Sequence, residues 1–168
     1  LRLQEEVLAI EPLAGDFHLK TSRGGLRAKF VVNCAGIFSD RIAAMVGIDE
    51  YQISPRRGQY VILDKDQNHL VQSVIFQVPT RQGKGILVTT TFHGNLMVGP
   101  NAEEIDDKTD VGTDTETLAK IVAQARRSVP GFDMRKALTS FAGNRPVSNQ
   151  KDWVIDASRI PGFIILIG

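Results

Sequence analysis

The sequence has little of what marks several large classes of protein. One cysteine in 168 residues cannot form an internal disulfide, so we expect a reducing compartment, by default the cytoplasm. Lys and Arg number 20 against 19 Asp and Glu, so the net charge is too small to attract nucleic acid. The longest apolar run, Phe163 to Ile167, is far too short for a transmembrane segment. We therefore expect a soluble protein without a nucleic-acid partner, while peripheral membrane association and oligomeric state stay open.

Motifs for metals and dinucleotides are also missing from the sequence. It has no cluster of His, Cys, Asp and Glu at metal-ligand spacing, so no metal site is predicted. No G-x-G-x-x-G follows a strand-like run, and the nearest approach, Gly83-Lys84-Gly85, is followed by Ile-Leu-Val. The phosphate-cradling loop of a dinucleotide-binding domain is therefore not in this sequence.

One stretch predicts a strand that breaks at glycine and continues as a helix. In "FVVNCAGIFSDRIAAMVG", residues 30–47, the first three residues suit a buried strand and the apolar residues of "DRIAAMVG" recur at helical spacing. Such a junction, here at Ala35-Gly36, leaves backbone N–H groups that an anionic ligand can approach. An ordinary strand-to-helix turn explains the same pattern, and one glycine does not decide between the two.

Strand-like runs make up most of the rest. "EVLAIEPL", "FHLKTS" and "LRAKFVVNCAG" predict a meander. "ISPRRGQYVILDK", "SVIFQVPT", "GILVTTTF" and "NLMVGP" predict a mostly antiparallel sheet. Further strands are predicted at 138–142, 153–155 and 163–167, and the acidic stretch "EEIDDKTDVG" predicts an exposed loop.

An amphipathic helix is predicted in "TDTETLAKIVAQARRSVPG". Thr113 and Glu116 have the spacing of a capping box at its start, and Pro130-Gly131 ends it. Its apolar residues fall on one stripe, so we expect the helix to lie across the sheet.

The two ends of the sequence predict an internal piece of a longer protein. The strand at 163–167 is apolar enough to be buried between helices, yet no helix follows it. The first residues, "LRLQEEVLAI", likewise do not resemble the start of a protein.

Five motifs follow one another along the sequence: "VVNCAGIFSDRIA", "PRRGQYVILD", "GKGILVTTTFHGNLMVGPNA", "FAGNRPV" and "DWVIDAS…PGFIILIG". In this order they resemble the motifs of the D-amino-acid-oxidase-like FAD-dependent oxidoreductases. The resemblance extends from Val7 to Gly168 and is strongest to the glycerol-3-phosphate dehydrogenase branch. It implies an α+β fold, with a predominantly antiparallel or mixed β-sheet substrate domain and covering helices. Partial Rossmann-like FAD-domain segments, a β-meander and parallel strands, would adjoin it.

The resemblance also implies how the chain divides. Residues 1–46 match part of the FAD-binding domain, 47–142 match the substrate-binding domain, and 143–168 match a truncated return into the FAD-binding domain. In the family the dinucleotide motif opens the protein, so it would precede Leu1. The implied cofactor is FAD, bound by the full-length protein and not by this fragment.

Four residues are implied as cofactor contacts. Ala35 and Gly36 would approach the FAD by backbone, because in the family the strand ending "NCAG" brings its turn beside the cofactor. Val7 lies on a strand that in the family offers main-chain contacts to the adenine, and a core valine is the alternative. Gly168 ends the strand that leads to the family's last FAD-binding turn.

Four residues are candidates for binding a small anionic substrate. The planar fork of Arg145 suits bidentate capture of phosphate or carboxylate, and the family's G-x-R-P motif places such an arginine over the flavin. Arg57 and Tyr60 lie in "PRRGQY", where a solvated hairpin edge is the alternative. His93 is a candidate because an imidazole can act as a general base, and a turn histidine is the alternative.

The resemblance implies a reaction and leaves alternatives open. A hydride would pass to the flavin from the hydroxyl-bearing carbon of a small anion, glycerol 3-phosphate. A 2-hydroxyacid oxidase of the 2-hydroxyglutarate type and an amino-acid oxidase are alternatives, because an arginine fork accepts carboxylate as readily as phosphate. A fragment that is inactive and binds only an anion or a partner chain is an alternative of another class. No residue is identified as the catalytic base, and the electron acceptor is not implied.

We expect the isolated 168-residue chain to be colourless after purification. Because the phosphate-cradling loop is not in this sequence, FAD should bind weakly or not at all. The visible absorbance spectrum of the chain after incubation with excess FAD and gel filtration measures the bound flavin. A stoichiometric yellow protein would contradict the division of the chain described above.

Overall fold

The computed structural model describes residues 1–78, 85–150 and 152–167. Over these residues strands predominate and helices are few, which confirms the predicted α+β class. The chain divides into two units: unit 1 comprises Leu1–Pro55 and Pro146–Gly168, and unit 2 comprises Arg56–Arg145. Within the described ranges, no helix is long and apolar enough to cross a membrane.

The described residues form the following strands and helices, numbered in chain order. The strands are β1 Val7–Pro12, β2 Phe17–Thr21, β3 Gly24–Ala28, β4 Val31–Asn33, β5 Ile53–Leu63, β6 Ile75–Phe76, β7 Leu87–Thr90, β8 Leu96–Val98, β9 Glu103–Glu104, β10 Ala137–Ser148, β11 Val154–Asp156 and β12 Phe163–Ile167. The α-helices are α1 Ser39–Ala44 and α2 Thr115–Ala125. Short 3₁₀ helices span Gly36–Phe38, Lys65–Leu70 and Met134–Lys136.

Unit 1 contains two three-stranded sheets. In the first, β1, β2 and β3 form an antiparallel meander, with Glu11 opposite His18 and Phe17 opposite Ala28. In the second, β12 lies between β11 and β4, antiparallel to β11 and parallel to β4. The predicted meander and the predicted parallel pairing are therefore confirmed.

The run "LRAKFVVNCAG", predicted as one strand, forms two. β3 ends at Ala28, opposite the first residue of β2, Phe17, so its ladder has no further partner there. β4 pairs instead with β12, and the Val31 N–H donates to the Gly162 carbonyl at 2.9 Å. The chain therefore passes from the meander to the second sheet between β3 and β4.

The core of unit 1 draws on both sheets and on α1. The rings of Phe17 and Phe163 pack with their centroids 6.1 Å apart, joining the meander to β12. β12 buries alternate residues, Phe163, Ile165 and Ile167, as expected of a strand with one face on a core. Ala43 contributes the buried side of α1.

Most of the six-stranded sheet lies in unit 2, in the order β10-β5-β8-β7-β6, with β9 paired to β5. The pairs β5–β8, β8–β7 and β7–β6 are antiparallel. One face of this sheet packs against α2 through a core that includes Val61, Leu96, Val98, Ile121 and Ala125. The predicted antiparallel sheet with a helix across it is therefore confirmed.

Two strands differ in extent from their predictions. The strand predicted at 138–142 is the first part of β10, which continues to Ser148. It continues because its neighbour in the sheet, β5, is itself 11 residues long. Of the strand predicted at 73–80, the structure has β6 alone, and residues 79 and 80 lie outside the described residues.

The start of α2 corrects the predicted capping box. The N-cap is Asp114, whose carboxylate accepts a hydrogen bond from the Thr117 N–H at 2.8 Å. Thr113 and Glu116 make contacts elsewhere. Asp114 takes the cap position because its carboxylate also accepts a hydrogen bond from Gln59 Nε2 at 2.8 Å, which fixes it against the sheet. The sequence does not show this second bond.

Substitution of Leu96 tests how much the core of unit 2 contributes to stability. It is fully buried on β8, with 0% of its surface exposed. Leu96→Ala should lower the free energy of unfolding by about 2–5 kcal/mol, because the variant loses buried apolar surface and leaves a cavity. Leu138→Ala is the matched control, since Leu138 lies 60% exposed on β10, and it should change stability by less than about 0.5 kcal/mol. Equal losses in urea unfolding would contradict the burial of Leu96.

Asp114 should make the stability of the chain depend on pH in the acid range. The hydrogen bonds from Gln59 and Thr117 lower the pKa of Asp114 from its ordinary value of 3.8 to about 2. A carboxyl whose pKa is depressed on folding stabilises fully above its unfolded pKa, and this contribution is lost as the pH falls through the folded pKa. The contribution of Asp114 is therefore complete above about pH 4 and declines towards pH 2.

Asp114→Asn measures that contribution. One amide oxygen replaces two carboxylate oxygens, so the variant should unfold at lower urea than the parent chain at neutral pH. The difference between the two midpoints should shrink as the pH falls towards the pKa of about 2. Asp49→Asn, at an exposed position, controls for the loss of one negative charge. A difference between parent and Asp114→Asn that does not change with pH would contradict the lowered pKa.

Candidate functional site

A pocket of about 400 Å³ lies within unit 2, on the face of the sheet away from α2. Its lining comes from three neighbouring strands: Gly58 and Tyr60 of β5, Met97 of β8, and the β10 residues 141–145. Strand alternation explains the placement of the β5 residues. Val61 of β5 points into the core, so Tyr60 faces the opposite side. We call this cavity the β-face pocket.

An aromatic pair forms one wall of the β-face pocket. The rings of Tyr60 and Phe141 stack with their centroids 4.8 Å apart and their planes 6° from parallel. Phe141 is 44% exposed, and Tyr60 is half-buried beneath it. Stacked rings add to the energy of area burial, so Phe141 restrains the ring of Tyr60. The wall is apolar and carries one phenol hydroxyl.

Arg145 brings positive charge to the β-face pocket. Of the described residues in the lining, it alone is charged. Its guanidinium donates from Nη2 to the main-chain oxygen of Asn101 at 2.9 Å, and the residue is exposed. Pro146 follows it and disfavours helical backbone at Arg145, in keeping with its place in β10. An exposed guanidinium beside an apolar wall is suited to binding a small anion.

Asn144, the neighbour of Arg145 on β10, ties the pocket to the segment after β9. Its Nδ2 donates to the carbonyl oxygens of Lys108 and Asp110, at 3.1 and 2.8 Å. Its Oδ1 is buried without a hydrogen-bond partner among the residues that the structure describes. The side-chain amide therefore fixes the path of this segment beside the pocket.

Arg57 lies next to the pocket strand but outside the lining. Its Nη2 lies 3.0 Å from a Glu103 carboxylate oxygen and its Nη1 lies 2.7 Å from an Asp110 carboxylate oxygen. The hydrogen bond to Glu103 is the main cause that raises the pKa of the Arg57 guanidinium. Its charge is therefore compensated by two carboxylates, and its role in substrate binding stays a prediction that the pocket does not support.

The same contacts show that the predicted exposed acidic loop is wrong for its first two residues, while residues 105–112 are loop and mostly exposed. Glu103–Glu104 forms β9, in which Glu103 lies opposite Arg57 and Glu104 opposite Arg56 on β5. Opposite charges across a strand pair stabilise the pairing. The acidic stretch is therefore anchored to the sheet at its start, and to Arg57 again through Asp110.

His93 lies in the turn between β7 and β8, away from the pocket lining. The Gly94 N–H closes the turn by donating to the Thr91 carbonyl at 2.9 Å. The His93 ring is exposed, and its centroid lies 5.3 Å from that of Phe92 in a T-shaped arrangement. The structure therefore does not bring His93 together with Arg145 and Tyr60, and its substrate role stays a prediction.

The predicted cofactor turn lies in unit 1, where β4 leads into the 3₁₀ helix. Gly36 has a φ of +55°, and within the described ranges no atom beyond its chain neighbours and its own helix lies within 4 Å of where its Cβ would be. The buried Asn33 holds the turn, accepting from the Ala35 N–H at 3.2 Å and donating to the Ser39 carbonyl at 2.8 Å. The exposed side of Ala35 and Gly36 thus offers backbone and open space, which fits a cofactor that approaches by backbone.

Val7 and Gly168 complete the predicted cofactor contacts. Val7 begins β1, is half-buried, and packs against the core of unit 1. Gly168 lies outside the described residues. Both roles stay predictions, and for Val7 the alternative of a core valine is also compatible with its packing.

Sequence reasoning missed Phe141, Gly58 and Asn101. Phe141 and Arg145 both lie in "SFAGNRPV" at even spacing, so a strand period of two would have placed them on one face. Gly58 and Asn101 carry no such signal, because their contacts with Arg145 depend on how β5 and β10 meet the chain after β8.

The lining offers anion binding but no evident proton acceptor. Among the described residues that line it, none is a His, Asp, Glu or Lys. Nor do the described ranges contain a group of three or more His, Cys, Asp or Glu arranged to hold a metal ion. The lining therefore combines one guanidinium and one phenol hydroxyl with mainly apolar surface.

Known proteins share both the sequence and the fold. The family model for FAD-dependent oxidoreductases matches residues 1–168. The chain is 45% identical over 167 residues to a glycerol 3-phosphate dehydrogenase of Caloramator mitchellensis, which covers 99% of this chain and 35% of that protein. Over 88 residues it is 38% identical to the mitochondrial L-2-hydroxyglutarate dehydrogenase of Mus musculus, covering 50% of this chain and 19% of that protein.

The comparison with solved structures agrees with the comparison of sequences. The fold is similar to that of dithionite-reduced L-α-glycerophosphate oxidase from Mycoplasma pneumoniae with FAD bound, at a TM-score of 0.87 and 29% identity. The match covers 97% of this chain and 44% of that chain, so this chain spans less than half the length of each protein named here. The family model and the relative at 45% identity together establish the family. The chain belongs to the DAO family of FAD-dependent oxidoreductases.

Proposed function

We propose that this chain is part of an enzyme that oxidises glycerol 3-phosphate with FAD, in which unit 2 binds the substrate and unit 1 adjoins the cofactor. The observation that carries the proposal is the 45% identity over 167 residues to a glycerol 3-phosphate dehydrogenase. The fold shared with an L-α-glycerophosphate oxidase supports it. The chain spans 35% of that dehydrogenase, so the activity is proposed for the full-length protein that contains this chain.

Arg145 is the proposed anchor for the substrate phosphate. Its guanidinium is exposed at the β-face pocket, and one of its N–H groups is used by the carbonyl of Asn101. A planar guanidinium can donate two parallel hydrogen bonds to the oxygens of a phosphate or carboxylate. The anion would therefore bind beside the Tyr60 and Phe141 rings.

The size and walls of the β-face pocket suit a small substrate. Its volume of about 400 Å³ lies at the lower end of the range of roughly 300–1,000 Å³ found for ligand sites. Tyr60, Phe141 and Met97 present mainly apolar surface, which limits the water around a bound carbon skeleton.

The redox step requires the cofactor. FAD, when bound, supplies the chemistry by accepting a hydride from the carbon that bears the substrate hydroxyl. The residues of this chain hold the reactants: Arg145 binds the anion, and the turn at Ala35 and Gly36 admits the cofactor by backbone. A cytoplasmic location stays a prediction from the single cysteine.

A 2-hydroxyacid is the second candidate substrate. It is favoured by the 38% identity over 88 residues to an L-2-hydroxyglutarate dehydrogenase. The guanidinium of Arg145 would then bind a carboxylate in place of a phosphate. The identity is lower and covers half of this chain, so glycerol 3-phosphate is the preferred proposal.

Arg145→Ala tests the anchor. In the full-length flavoprotein the variant should raise the KM for glycerol 3-phosphate at least about tenfold, because a hydrogen bond to a charged group contributes roughly 1.5–3 kcal/mol. Arg135→Ala is the matched control, since Arg135 is 90% exposed and pairs with Asp133 away from the pocket lining. It should leave KM within about twofold of the parent value. Steady-state kinetics measures both, and an unchanged KM in Arg145→Ala would contradict the assignment.

A substrate screen separates the two candidates. The full-length protein should reduce its flavin with glycerol 3-phosphate and much more slowly with L-2-hydroxyglutarate or amino acids. Anaerobic bleaching of the flavin absorbance measures the reaction without assuming an electron acceptor. Faster bleaching by L-2-hydroxyglutarate would replace the first candidate by the second.

A further inference from the structure

We propose that Gly58 and Asn101 are positioning residues that fix the guanidinium of Arg145 in the β-face pocket. The proposal rests on the proposed role of Arg145 as the anion anchor. An arginine side chain is long and flexible, and ordering it costs conformational entropy. Binding is tighter when the side chain is already ordered in the free protein, because less entropy is then lost on binding. The space at Gly58 and the hydrogen bond to Asn101 order the Arg145 side chain in this way.

Asn101 holds the guanidinium through its main chain. Its carbonyl oxygen accepts from Arg145 Nη2 at 2.9 Å. The carbonyl can hold Arg145 in one place only if Asn101 is itself fixed, although it lies in the connection between β8 and β9. The side chain of Asn101 meets this requirement, because its Oδ1 accepts from the Gln59 N–H at 2.7 Å.

Gln59 connects Asn101 to the rigid part of unit 2. The Gln59 side chain is fully buried, at 0% exposure. Its Nε2 donates to the Asp114 carboxylate at 2.8 Å, and its Oε1 accepts from the Asp114 N–H at 3.0 Å. Asp114 is the N-cap of α2. Hydrogen bonds therefore run from the start of a packed helix, through Gln59 and Asn101, to the guanidinium of Arg145.

Gly58 gives the guanidinium room against β5. A Cβ at Gly58 would lie 3.2 Å from Arg145 Nη2, 3.3 Å from the Asn101 carbonyl oxygen and 2.8 Å from Pro100 Cβ. The backbone of Gly58 is not in the left-handed region, so the chain does not need glycine there for its conformation. Glycine is needed for space, because a Cβ would overlap Pro100 Cβ and would crowd both the guanidinium and the Asn101 carbonyl that holds it.

Two variants test the positioning by different routes. Asn101→Ala removes the acceptor of the Gln59 N–H, and Gly58→Ala places a methyl group against Arg145 Nη2. In the full-length flavoprotein each should raise the KM for glycerol 3-phosphate about tenfold, with kcat changed by less than about twofold, because the loss is in binding the anion. The inhibition constant for inorganic phosphate should rise in parallel.

Matched controls come from the same unit. Asn95→Ala also removes a side-chain to main-chain hydrogen bond, since Asn95 Nδ2 donates to the Leu63 carbonyl at 3.1 Å. Gly131→Ala adds a methyl that would lie in ordinary contact with Leu70, 3.5 Å from its Cδ2. Neither residue lines the pocket, so both variants should keep the parent KM. A rise in KM in these controls equal to that in the test variants would indicate a general loss of packing and overturn the proposal.

A double-mutant cycle decides whether Asn101 acts through Arg145. If it does, adding Asn101→Ala to Arg145→Ala should change KM by less than about twofold, although Asn101→Ala alone changes it about tenfold. Additive effects would overturn the proposal and leave the proposed function intact. An Arg145→Ala variant with the parent KM would instead overturn the proposed anchor itself. Gly58→Ala removes no hydrogen-bonding side chain, so the cycle can be run with it if Asn101→Ala does not fold.

Discussion

The alternation of side chains along β5 is the constraint on which the pocket depends. Val61 and Leu63 face the core beneath α2, while Gly58 and Tyr60 face the pocket. A shift of one residue in the pairing of this strand would exchange the two faces, placing Tyr60 in the core and Val61 in the pocket. The register is therefore fixed by the same hydrophobic burial that stabilises unit 2, and the geometry of the pocket follows from it.

Polar contacts across β5 complement that hydrophobic constraint. Gln59 is fully buried, which would be costly if its amide were unpaired. Its side chain is instead paired with both the N–H and the carboxylate of Asp114. A two-way hydrogen-bonded contact of this kind favours one arrangement of helix and sheet. It also makes the position of Asn101, and hence of Arg145, a consequence of how α2 docks.

The sequence predicts those parts of the fold that depend on local pattern. Alternating apolar residues identified the meander, and a full apolar stripe identified α2. The strand predicted from 138 was too short, because the length of β10 depends on pairing with β5. The helix cap was assigned to Thr113 in place of Asp114, because the bond from Gln59, 55 residues away in the chain, carries no local signal.

The residues of the candidate site also divide into those that local sequence predicts and those that depend on tertiary contacts. Arg145 and Tyr60 could be proposed from short motifs, and the structure places both in one pocket. Arg57 looked equivalent in sequence, but Glu103 and Asp110, 46 and 53 residues further along the chain, compensate its charge. Phe141 and Asn101 were missed because each acts through a partner on another strand or segment. Local sequence identifies charged and aromatic candidates, and tertiary pairing decides which of them reach a ligand.

A crystal structure of the full-length protein with FAD and glycerol 3-phosphate is the most direct test of the account. The account predicts phosphate oxygens within hydrogen-bond distance of the Arg145 guanidinium, with Arg145 Nη2 still donating to the Asn101 carbonyl. A substrate bound elsewhere, with the guanidinium of Arg145 turned away from it, would contradict the account.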